Sequence, residues 1–201
     1  LERLLNVLYF LGNYSVAENL ATTLISQLSD YDMATMRRSA GLPFISLALI
    51  RSEPATSPLH LFNKLVDALV SLIRRTDSAV EATNAINILK AIVNESEVTP
   101  KCEPMYGTIL GCVIDACYKF KSWDVISAIN LTIVAFLRKT CNIGGIDSAA
   151  STSIIRVQFF SKINGARQII IDALKSDCSQ ANYIAMSILE LFKPDTGDAE
   201  I

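Results

Sequence analysis

The sequence predicts an all-α protein, a HEAT- or armadillo-like α-solenoid of about ten helices, and three observations carry that prediction. Hydrophobic residues make up 51% of the chain and charged residues 19%. That balance excludes a disordered tail and calls for helices covered on more than one side. Apolar residues recur at spacings of three and four, and no stretch shows the strict alternation of a half-buried strand. The length of 201 residues accommodates about five hairpins of roughly forty residues each. The expected architecture is a right-handed stack of such hairpins, a fragment of a larger solenoid. Residues 1–193 form a single α-helical repeat region in this reading, and residues 194–201 form a polar, frayed tail.

Taken in order, residues 1–11 read as a helix ended near Gly12 and Asn13, with Ser15 placed to cap the next helix, which runs to about Ser29. The turn 29–32 carries Asp30 and Asp32 and leads into residues 34–54, ATMRRSAGLPFISLALIRSEP. Read as one helix, this segment places Met36, Ala40, Pro43, Phe44, Leu47 and Ile50 on one side and Leu42, Ile45 and Leu49 nearly opposite. Arg38 lies on the second line, and Arg37 lies one step round with Gly41 and Ala48. Pro43 has no N–H for the Ser39 carbonyl, so a kink or a helix restart is expected near residues 39–43. Glu53 and Pro54 end the helix.

Ser57 and Pro58 read as the N-cap and first turn of an amphipathic outer helix to Arg75, with Leu59, Phe62, Leu65, Val66 and Leu69 on its apolar face. Arg74 and Arg75 suit its negative end. Thr76, Asp77 and Ser78 cap an inner helix that turns Ala82, Ala85, Ile86, Leu89 and Ile92 inward. Residues 95–104, with two prolines, read as a loop. A helix over 105–120 carries Gly107 and Gly111, which serve close helix approach. Residues 122–138 form a nearly all-round apolar helix, expected to be the most buried, with Trp123 as an anchor rather than a base-stacking platform. Residues 141–153 are the largest irregular stretch. A short pair over 154–163 and 165–175 and a last helix over 180–192 complete the chain.

Charge and chemistry narrow the function. Eighteen Lys and Arg stand against 20 Asp and Glu, a net charge of −2, which excludes a self-sufficient nucleic-acid binder with a broad basic face. Any RNA contact is local or shared with a partner. No apolar run reaches the length of a membrane span, and no signal peptide is visible. Cys102, Cys112, Cys117, Cys141 and Cys178 form no C-x-x-C pair and read as buried free thiols of a reducing compartment, with no zinc site. His60 is the only histidine, and it has no special neighbour to make Ser39 a nucleophile. Gly144 and Gly145 follow no strand and lack the ending of a phosphate-binding loop. Nothing here holds a methyl-donor cofactor. The chain reads as a non-enzyme.

What remains is one turn. Arg37 and Arg38 supply two rigid cationic forks, Ser39 a hydroxyl and a freed carbonyl, and Gly41 an opening for a backbone or ligand. Arginine forks match phosphates and carboxylates bidentately, so an RNA backbone or an acidic partner loop fits. The other reading makes Arg38 half of a buried pair with Asp30 or Asp32 and leaves Pro43 to shape a repeat.

The run RRSAGLP at residues 37–43 resembles the signature of the THADA family. The similarity continues through Phe44 and ALIRSEP ending at Pro54, AINILKAIVNESEV at residues 85–98 and VQFFSKI at residues 157–163, in the same order and at similar spacing. One departure is WDVISAIN from Trp123, where the family tends to have an arginine and an asparagine. The resemblance implies a non-catalytic auxiliary subunit that presents tRNA to a partner 2′-O-methyltransferase, which modifies the first ribose of the anticodon loop. In that role Arg37, Arg38, Ser39 and Gly41 touch the tRNA anticodon arm or the catalytic subunit, while Ala40, Leu42 and Pro43 shape the motif. S-adenosylmethionine belongs to the partner, no cofactor to this chain. A cytoplasmic location follows, without membrane insertion. The alternative is a protein-interaction scaffold without an RNA role, since animal members are linked to the calcium pump of the endoplasmic reticulum. A third reading is a purely structural spacer between more basic arms of a longer protein.

Overall fold

Alternate helices fall into two layers, and the division follows from which face of each helix is apolar. The computed structural model describes residues 1–28, 41–141 and 158–190. Its helices are α1 (Glu2–Phe10), α2 (Ser15–Gln27), α3 (Leu42–Ser52), α4 (Leu61–Arg75), α5 (Ala79–Asn94), α6 (Tyr106–Lys119), α7 (Trp123–Cys141), α8 (Ala166–Lys175) and α9 (Ser179–Glu190). A helical turn Thr99–Cys102, a 3-10 turn Glu103–Met105 and a helical stretch over 158–162 complete them. No strand occurs among the described residues. In one layer α1 packs on α3, α3 on α5 and α5 on α7, and side chains of α7 and α9 meet across a surface groove. In the other layer α2 packs on α4, α4 on α6 and α6 on α8. The protein is an all-helical stack of α-solenoid type, as the periodicity predicts.

The middle hairpin shows why these residues form these elements. On α4, Phe62, Leu65, Val66, Leu69 and Ile73 are buried as one stripe, and the opposite side carries Asn63, Lys64 and Asp67. Ser78 caps α5 by accepting from the Glu81 N–H at 3.3 Å. Thr76 Oγ1 donates to the Glu81 carboxylate at 2.6 Å and accepts from the Ser78 N–H at 3.0 Å. All five residues expected to face inward on α5, from Ala82 to Ile92, are fully buried. Each large one contributes about 1.5–3 kcal/mol of apolar burial. The two glycines of α6 serve packing: a Cβ at Gly107 would collide with the Asn164 carbonyl, and one at Gly111 would stand 3.5 Å from the tip of Ile169. The next residue, Gly165, takes φ 77° and starts α8.

Three local expectations are corrected. Ser15 is the first residue of α2 rather than its cap, and its hydroxyl donates to Asn13 Oδ1 at 2.8 Å. Ser57 does not cap α4, which begins at Leu61 after His60, held at φ 50°. Ser57 Oγ accepts from the Leu59 N–H instead, at 3.2 Å. Trp123 is no buried anchor. It is 80% exposed, and α7, expected to be the most buried helix, also leaves Leu131 and Val134 exposed. No neighbour crosses that face among the described residues.

All five cysteines are buried and none forms a disulfide. Burial pushes the thiols of Cys102, Cys112 and Cys117 up to about 12. No helix among the described residues is long and apolar enough to cross a membrane. The Asp30 and Asp32 turn, the irregular stretch after Cys141, the first residues of the helix expected from Ile154 and the acidic tail lie outside the described residues.

Candidate functional site

α3 carries the second half of the chemistry-rich segment, and its first residues explain where a helix can start. Gly41 is the N-cap, with φ −80° and ψ −21°, and no side chain among the described residues caps the helix. Pro43 falls in the first turn, where a missing N–H breaks no intrahelical bond, and the Ile45 N–H donates to the Gly41 carbonyl at 3.1 Å. Of the two sequence alternatives, kink or restart, the described side is a start at Leu42. Leu42, Leu49 and Ile50 are buried, whereas Phe44 is 75% exposed. The helix is therefore covered chiefly on the Leu42 side, and on the opposite line Phe44 stands in solvent while Ile50 is buried. Ser46 is buried, and its hydroxyl donates to the Leu42 carbonyl at 2.7 Å. A Cβ built on Gly41 meets nothing within 4 Å. Arg37, Arg38, Ser39 and Ala40 lie outside the described residues.

The far end of α3 holds two residues whose roles sequence reasoning missed. Arg51 donates through Nε to Glu97 Oε2 at 2.7 Å and through a terminal nitrogen to Glu97 Oε1 at 3.2 Å. Glu2 and Glu95 stand 3.6 and 3.8 Å from the same guanidinium. The hydrogen bond to Glu97, with the nearby carboxylates, holds the Arg51 guanidinium above its ordinary range. One fork thus ties α1 and α3 to the turn that follows α5. Glu53 is buried, and its carboxylate accepts from the Leu61 N–H at 2.7 Å and the Phe62 N–H at 3.3 Å. It caps α4 from eight residues away. Lys101 Nζ bonds the Glu53 carbonyl at 3.1 Å and stands 3.9 Å from its carboxylate. The hint in the sequence is that His60, just before α4, is a poor N-cap, so the helix needs an acceptor from elsewhere.

The start of α3 is thus positive by its dipole and, among the described residues, uncapped by any side chain. Its C-terminal end is locked into three other elements. The family model described as THADA/TRM732, DUF2428 matches residues 10–124, more than half of the chain. The chain belongs to this family. Curated relatives carry the name tRNA (32-2′-O)-methyltransferase regulator THADA. The mouse protein is 26% identical over 170 residues, 81% of this chain and 8% of its own length. The chicken protein is 23% identical over 148 residues, 71% of this chain and 8% of its own. The human protein is 36% identical over 69 residues, 33% of this chain and 4% of its own. The chain therefore spans less than a tenth of the relatives it matches. No solved structure matches it significantly. The match to the THADA/TRM732 family covers α2 to α6, and so includes α3, Arg51 and Glu53, and it ends at the start of α7.

Proposed function

We propose that this chain is part of a non-catalytic auxiliary subunit that helps a separate tRNA 2′-O-methyltransferase act on a ribose of the anticodon loop. Membership of the THADA/TRM732 family carries the reading, because the relatives are named as regulators of a tRNA (32-2′-O)-methyltransferase. In this reading the helical stack presents the tRNA, the partner brings S-adenosylmethionine, and Arg37, Arg38, Ser39 and Gly41 meet phosphate or the catalytic subunit. Ala40, Leu42 and Pro43 shape the approach. The buried cap at Glu53 and the Arg51 cluster support it by giving α3 a rigid base, so that the segment before Gly41 is offered from a fixed helix start.

The test is ribose-methylation mapping with the protein reconstituted with the methyltransferase and tRNA. Arg37→Ala lowers methylation while the thermal midpoint stays within a degree or so of the parent, as for a surface substitution. Arg37→Lys keeps the charge but loses the fork, and it restores little if the contact is bidentate. If Arg38 is half of a buried pair, Arg38→Ala instead costs about 3–5 kcal/mol of stability. A phosphate contact weakens steeply as salt rises. Full methylation by the Arg37→Ala protein at normal stability and low partner concentration would remove the motif from the account.

A further inference from the structure

The exposed side of the α1–α3–α5–α7–α9 layer holds two grooves that share α7 as their common wall. The first, about 200 Å³, lies between α5 and α7 and is lined by Asn84, Asn87, Trp123, Asp124 and Leu131 among others. The second, about 240 Å³, lies between α7 and α9, with Asn130, Gln180 and Tyr183 at its edge. Trp123 is 80% and Tyr183 68% exposed, and Leu131, Val134 and Met186 are exposed too. Exposed apolar side chains grouped on two helices of one layer mark a contact surface more often than ones scattered singly.

The composition of the two grooves selects their occupant. Asn84, Asn87 and Asn130 each offer both a donor and an acceptor, which is what the alternating N–H and C=O groups of an extended peptide require. Lys90 Nζ donates to Asn87 Oδ1 at 2.9 Å, which leaves the Asn87 amide nitrogen as a donor. Asn84 makes no side-chain hydrogen bond among the described residues. Neighbouring helices stand about 8–10 Å apart and an extended chain advances about 3.3 Å per residue, so roughly every third residue meets the next helix. Among the described residues the one formal charge lining either groove is Asp124, a carboxylate beside an exposed indole. A nucleic-acid backbone finds one repelling acid here, and the Lys90 ammonium beside the groove is already bonded to Asn87 Oδ1 at 2.9 Å. A lysine or arginine finds a ring face and a counter-ion together.

We propose that the groove between α5 and α7, continued into the one between α7 and α9, binds an extended segment of a protein partner, with a lysine or arginine head over the Trp123 ring beside Asp124. The proposal is independent of the arginine motif. It gives this layer a protein to hold while residues 37–41 serve whatever they bind.

Random short peptides displayed on phage, selected on the whole chain, test it. Selected peptides share at least one Lys or Arg and, as labelled synthetic peptides, bind saturably by fluorescence anisotropy. They also shift the emission of Trp123, the sole tryptophan. Trp123→Ala and Asp124→Lys each weaken binding by about tenfold or more. Both positions are solvent-facing, so the far-UV circular dichroism stays that of the parent. Four results would each overturn the assignment: no shared basic residue among selected peptides; equal binding by both variants; a single-stranded uridine oligomer shifting Trp123 where the peptides do not; or a concentration-dependent dimer that Trp123→Ala abolishes.

Discussion

The Glu53 carboxylate accepts from two N–H groups at the start of α4 and so replaces a cap that the local sequence lacks, since His60 occupies the N-cap position. Hydrogen bonds to a charged acceptor contribute about 1.5–3 kcal/mol, and a buried donor left unpaired adds to the loss. Glu53→Ala therefore lowers the urea unfolding free energy by about that amount. Glu53→Gln keeps one oxygen acceptor and falls between the two. Equal stability of all three proteins would show that water caps α4 just as well. The residue is readable in the sequence only as the position before Pro54, where it marks a helix end. Its partners lie in the next helix, so its role depends on a turn geometry that no local pattern encodes.

Helix α6 accepts the backbone at Asn164 against its side only because residue 107 has no Cβ. Alanine there gains about 1 kcal/mol in helix propensity, but a carbonyl backbone atom cannot swing away as a flexible side chain does. Gly107→Ala is expected to destabilise by about 1–3 kcal/mol, read by thermal unfolding. Gly111→Ala meets only the tip of Ile169 at ordinary contact distance and leaves the midpoint near the parent's. A Gly107→Ala protein as stable as the parent would mean that the contact between α6 and the start of α8 relaxes freely. The sequence pointed to both glycines as packing positions, but it could not rank them. The difference lies between backbone and side chain on the other partner.

Across the whole molecule, the two-layer stack buries thiols and phenols that stay neutral to higher pH while folded. Cys102, Cys112 and Cys117 are raised from 9.0 to about 12, and Tyr9 and Tyr106 from 10.0 to about 12, in every case chiefly by burial. The neutral form of each group is protonated, so above the unfolded value the folded state binds more protons than the unfolded one. The associated stability is fully present below about pH 9 and falls as pH rises toward 12, by at most about 1.4 kcal/mol per group and pH unit. The thermal midpoint should therefore drop steadily from about pH 9 to 11. Replacing Cys112 and Cys117 together with alanine should make the drop shallower. A midpoint unchanged to pH 11 would contradict the burial of these groups.

The sequence by itself determined the helical class, the inward faces of α4 and α5 and the burial of the cysteines. Those depend on spacings of three and four residues that the backbone period turns directly into faces. It also picked out the motif at residues 37–43, whose Arg37, Arg38, Ser39 and Ala40 lie outside the described residues. Tertiary structure alone decided that Arg51 and Glu53 join four elements and that Trp123 faces solvent. An apolar residue on a helix of any composition is buried only if a neighbour crosses its face, and a carboxylate caps a helix only if a turn brings it there. Both depend on the path of the chain between elements, which hydrophobic periodicity does not carry.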